Sequence, residues 1–131
     1  MKNTSLAVVT NFLAAVQKLD FDTVAGLLHP NVKWEQPGNN RFSGIKNSVE
    51  DVLAMASGMF AISEQTFALD AVHSYAVNGD DVAATLTWKA NREGQQLNVQ
   101  NIDVYTVAEG KITAVKIFTA DEQQENNFWG N

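Results

Sequence analysis

Cysteine is absent from this 131-residue chain. That removes disulfides, thiolate nucleophiles and cysteine metal sites. Only two histidines are present, His29 and His73; they fall in separate segments, and no carboxylates cluster at metal-ligand spacing. No metal and no cofactor are expected. Basic residues are also few and scattered, nine Lys and Arg against fifteen Asp and Glu, for a net charge of -6. Phosphate backbones are held by clustered cations, so no nucleic-acid partner is expected. Long apolar runs are missing, and none approaches the roughly 20 residues that cross a bilayer, so no membrane partner is expected either. The first apolar segment is broken by Thr10, Asn11 and Gln17 and ends in no small-residue cleavage site. That argues against a secretory leader, and the expected location is cytoplasmic.

What is present is enough for a sizeable core: 45% of residues are hydrophobic, which predicts one domain over residues 1–131. Leu6, Val9, Phe12, Leu13 and Val16 recur at helical spacing, and predict an amphipathic helix over residues 4–19. Asp20 suits the N-cap of a short second helix carrying Val24, Leu27 and Leu28, and Pro30 places His29 at its end. Residues 32–36 read as a strand with Trp34 and Gln36 pointing the same way, ended by the turn Pro37-Gly38-Asn39-Asn40. A third helix is predicted over residues 46–60. Met55 and Met59 flank its apolar stripe and suit a pocket that accepts irregular shapes.

Residues 66–119 read as sheet. In the first strand, Phe67, Leu69, Ala71, His73, Tyr75 and Val77 alternate against a second face, and Asn78-Gly79-Asp80 is a hairpin signal. The next strand turns Val82, Ala84, Leu86 and Trp88 inward. In the third, LNVQNIDVYTV, the positions Leu97, Val99, Asn101, Asp103, Tyr105 and Val107 share one face. If that face looks inward, Asp103 is a buried acid, which is costly unless it serves a function. A last strand is predicted over residues 112–119, and the tail is polar until Phe128-Trp129, which is expected to fold back on something apolar. Helices followed by an antiparallel meander form an α+β pattern.

The order of these elements, with the stretches VVTNFLAAV, VKWEQPGNNRFSG, NIDVYTV and GKITAVKIF, resembles the nuclear transport factor 2-like superfamily, within it the ketosteroid isomerase-like and SnoaL-like polyketide cyclase-like proteins. The resemblance covers almost the whole chain. It implies a cone-shaped, curved, mixed β-sheet wrapped around three N-terminal helices, with an internal pocket. It also implies a homodimer through the outer sheet face, which fits the apolar Ile102 and Val104 on that face.

The isomerases resembled use a carboxylate base near the end of the first strand, a tyrosine on the first helix and a protonated aspartic acid in a central strand. Matched position by position, the central acid is Asp103, the tyrosine position holds Phe12 and the base position holds Gln36. Phenylalanine donates no hydrogen bond and a neutral amide abstracts no proton. Glu35 is one step from the base position, but a one-residue step turns a strand side chain to the other face, so only a bulge would bring it there. The epoxide hydrolases of the superfamily carry an arginine two residues before the central acid, where this chain has Asn101.

The remaining constellation is Asp103 and His73 as candidate catalytic residues. Phe12, Trp34, Gln36, Met55, Met59, Trp88, Asn101 and Tyr105 are the candidate ligand-binding residues. Two readings stand. One is an isomerase, cyclase or lyase doing acid-base chemistry on a small hydrophobic carbonyl compound; the other is a non-catalytic binder of a small apolar ligand.

Overall fold

A computed structural model describes residues 4–131; residues 1–3, included in the expected domain, lie outside the described residues. The elements run α1 (Thr4–Lys18), α2 (Phe21–Leu27), β1 (Leu28–Gln36), β2 (Gly44–Lys46), α3 (Val49–Ile62), β3 (Ala68–Asn78), β4 (Asp81–Arg92), β5 (Gln95–Ala108), β6 (Lys111–Thr119) and α4 (Glu122–Trp129). The α+β expectation holds. One six-stranded sheet has the order β2-β1-β6-β5-β4-β3. β1 and β6 are parallel and every other pair is antiparallel, so the sheet is mixed. No helix among the described residues is long and apolar enough to cross a membrane.

β5 is the axis of the sheet and its alternation is strict. Leu97, Val99, Asn101, Asp103, Tyr105 and Val107 are all buried, and Asp103 is 1% exposed. Two-residue hairpins fix the registers on either side of it. Glu93-Gly94 and Glu109-Gly110 have positive φ at both central positions, the geometry whose twist matches the flanking strands. Against the inner face lie α1, through Val9, Phe12 and Leu13, and α3, through Val52, Met55 and Met59.

Several local expectations are corrected. His29 lies within β1 and not at a helix end, because α2 stops at Leu27 and Leu28 is already extended. α3 starts at Val49, where the Ser48 side chain accepts from the Asp51 amide; the preceding residues Gly44–Lys46 instead pair with the end of β1. A fourth helix, α4, joins the three expected ones. The Asp121 side chain caps it by accepting from the Gln124 amide at 3.0 Å, and the helix buries Glu125, Phe128 and Trp129. Trp129 meets Phe42, Phe67 and Phe128 edge-on, with ring centroids 4.8 to 5.3 Å apart. The expected apolar return of the tail is this aromatic cluster.

Candidate active site

The inner face of the sheet, with residues of β1 and β3 to β6, and the helices α1 to α4 line a cavity of about 110 Å³. An apolar cavity of about 150 Å³ is known to take benzene, so the space suits a ligand of one ring. Exposed Leu19 and Phe21 also line it.

Seven of the eight expected ligand-binding residues line this space: Phe12, Trp34, Gln36, Met55, Met59, Trp88 and Asn101. Trp34 and Gln36 share a face of β1 because they are two residues apart. The indole Nε1 of Trp34 donates to Oε1 of Gln36 at 2.9 Å, which orients the amide. Glu35 between them is exposed and stands on the opposite face of the sheet, beside Lys33 and Lys116, so it does not supply the missing base.

Asp103 lines the cavity, and the structure surrounds it as strand parity requires. Its Oδ2 accepts from the Tyr105 hydroxyl at 2.9 Å, while its Oδ1 has no hydrogen-bond partner. Burial is the main cause that pushes its carboxyl up to about 7; the Tyr105 hydrogen bond opposes this and the nearby Glu125 adds to it. Tyr105 itself is not part of the lining. It sits behind Asp103, 1% exposed, with its ring edge-on to Phe12 at 5.8 Å between centroids. Burial first, and then the neighbouring Asp103, raise its phenol well above the ordinary value. Its place is that of a support for Asp103 and not a ligand contact.

His73 is the expectation that geometry overturns. Simple alternation puts it on the inner face of β3, but the register with β4 shifts between Leu69 and Ala71 and again between Val72 and Ser74. Each shift adds one residue and reverses the parity. Between the two, Val72 pairs with inward-facing Leu86, and His73 is exposed. Its Nε2 lies 2.6 Å from the Thr87 hydroxyl on the outer side of the sheet. It is not brought to Asp103.

The residue missed from the sequence is Glu125. It is 4% exposed, belongs to α4 and lines the same cavity as Asp103, with Oε2 unpartnered. Burial raises its carboxyl, opposed by the adjacent Thr119 and Trp129 side chains and reinforced by Asp121 and Glu122. The signal was its spacing: Glu125, Phe128 and Trp129 stand three and four apart, so on a helix the acid shares the face that the aromatics bury. Phe67, which stacks on Trp88 at 4.8 Å, is a second addition to the lining.

A SnoaL-like domain model matches residues 9–115. The chain belongs to the SnoaL-like family. A crystal structure of a protein of unknown function with a cystatin-like fold from Xanthomonas campestris shares 34% identity with this SnoaL-like chain. It covers 97% of this chain and 98% of its own, with a TM-score of 0.93. An uncharacterised protein of Mycobacterium tuberculosis is 25% identical over 97% of both chains. TerC, co-crystallised with polyporic acid, has the same fold at 15% identity, a TM-score of 0.83 and coverage of 97% and 99%. The SnoaL-like fold therefore runs the length of the described chain.

Proposed function

We propose that this SnoaL-like protein carries out acid-base chemistry on a small hydrophobic carbonyl compound, with Asp103 as the acid. One observation carries the reading: a carboxyl group 1% exposed, facing a cavity with one oxygen unpartnered, which burial pushes up to about 7. A group poised near the working pH both donates and accepts a proton at useful rates. The aromatic and methionine lining grips the apolar body, and Gln36 and Asn101 orient the carbonyl. TerC was crystallised with polyporic acid, which supports a ring-bearing ligand in a fold of this kind.

A second reading is favoured by Phe12 and Gln36, which offer neither the hydroxyl nor the carboxylate expected there: the same cavity binds an apolar ligand without turnover. A screen of small cyclic ketones for binding and conversion, repeated with Asp103→Asn, separates the two. The acid-base reading requires conversion that collapses in the variant while binding persists. Conversion unchanged in Asp103→Asn sinks it. Binding without conversion, weakened more by Trp34→Ala than by Asp103→Asn, selects the binder.

A second copy of the chain is the partner we propose for the outer sheet face. Ile102 and Phe118 are cross-strand neighbours there, 47% and 40% exposed. Analytical ultracentrifugation should give a dimer that Ile102→Glu converts to monomer; a wild-type monomer at micromolar concentration removes the idea.

A further inference from the structure

Three buried side-chain oxygens around the cavity have no hydrogen-bond partner: Asn101 Oδ1, Asp103 Oδ1 and Glu125 Oε2, the last with the Thr119 side chain and the likewise unpartnered Trp129 Nε1 beside its carboxyl but outside the cavity lining. Asn101 and Asp103 are consecutive inward positions of β5, and Glu125, carried by α4 packed against β5, lines the same cavity near enough to Asp103 to act on its carboxyl. The fourth polar side chain of the lining, Gln36, already spends its Oε1 on Trp34. No Lys, Arg or His lines the space among the described residues. The polar end of the cavity is thus rich in waiting acceptors and has no fixed positive charge.

Buried acceptors left unpaired cost free energy, and a ligand that pairs them recovers it. We propose that Asp103, Asn101 and Glu125 form a recognition site for a hydroxyl group on an uncharged, ring-sized apolar molecule, and that the site excludes carboxylates. This rests on the cavity reading above and narrows it to a hydroxylated ligand. A hydroxyl brings one donor to the free oxygens and keeps lone pairs for a protonated carboxyl. A carboxylate brings only acceptors, and its charge would be desolvated beside two acidic side chains with no cation to meet it. Glu125 is then a ligand-binding residue that the family comparison of strand positions does not reveal, because it comes from the C-terminal helix.

Three probes with one body separate the possibilities: 4-methylphenol, 4-methylanisole and 4-methylbenzoate, titrated into the labelled full chain at pH 7.5 with backbone amide shifts as readout. The phenol should shift the amides of Asn101, Asp103 and Glu125 and bind at least about tenfold tighter than the anisole, which fills the space but donates nothing. The benzoate should not saturate. In Glu125→Gln the preference for phenol over anisole should shrink and benzoate binding should rise. Equal binding of all three, or tightest binding of benzoate, overturns the proposal and leaves the cavity reading standing. If none of the three shifts the cavity amides, both fall. Should Glu125→Gln not fold, the comparison of the three probes on the wild-type chain still decides.

Discussion

The Tyr105 hydroxyl donates to Asp103 Oδ2 at 2.9 Å from two residues along the same face of β5, so the strand that buries the acid also carries its own hydrogen-bond donor. This bond favours the ionised form of Asp103 against the burial that opposes it. In Tyr105→Phe the ring still packs on Phe12, but the carboxylate loses its stabilising donor. The Asp103 midpoint should move above about 7, read from its carboxyl carbon shift. Stability should fall by about 1 to 3 kcal/mol in urea unfolding, the usual cost of stranding a buried polar group.

Stability should fall as pH rises from about 4 to about 7. The unfolded Asp103 releases its proton near 3.8 and the folded one near 7, so within this window the folded chain holds a proton that the unfolded chain has lost. Its contribution is fully present below the lower value and lost by the upper one, with a slope of at most about 1.4 kcal/mol per pH unit. Glu125, raised by burial as well, adds a dependence of the same sign. Asp103→Asn keeps the shape and an acceptor for Tyr105 without titrating. Urea midpoints from pH 4 to pH 8 should therefore be flatter in the variant, and at pH 8 the variant should be at least as stable as wild type. An unchanged slope would mean that Asp103 titrates at its ordinary value.

Trp34→Phe keeps an aromatic wall but frees the Gln36 amide, whose Oε1 loses its 2.9 Å donor. Both side chains are half-buried, so the stability change should stay within about 1 kcal/mol. Affinity for any cavity ligand held by the Gln36 amide should weaken by about tenfold or less, the worth of one oriented hydrogen bond, measured by calorimetry.

Gly58 lies on α3 under the Phe42 ring, and an added methyl group would stand 2.8 Å from that ring. Helix propensity alone would favour alanine by about 1 kcal/mol. The clash should win, because Phe42 is braced edge-on against Trp129 at 5.3 Å and has little room to withdraw. Gly58→Ala should destabilise by about 1 to 2 kcal/mol net and change the tryptophan fluorescence, while Ala54→Gly on the exposed side of the same helix serves as the control for propensity.

Much of the site was readable wherever the strand period ran unbroken. Asn101 and Asp103 are inward because β5 alternates without interruption, and Trp34 and Gln36 face together for the same reason. His73 was misread because two bulges in β3 reverse parity and reverse it back, and a strand's neighbours, not its own residues, show where an extra residue is absorbed. Tyr105 was on the correct face, yet one step further along the strand the ring of Phe12 takes the space in front of it. Glu125 was passed over because the short segment around it is polar, and only Phe128 and Trp129 reveal which side of the helix turns inward.

By itself the sequence determined the α+β order of elements, the family and the strand face that Asp103 shares with its apolar neighbours, since periodicity and turn residues act over a few neighbouring positions. Tertiary structure decided what company that acid keeps. It closed the cavity with a helix from the far end of the chain, brought Glu125 to Asp103 and Asn101, and turned His73 outward. These are contacts between segments remote in sequence, set by packing and register across the sheet, and no local pattern records them.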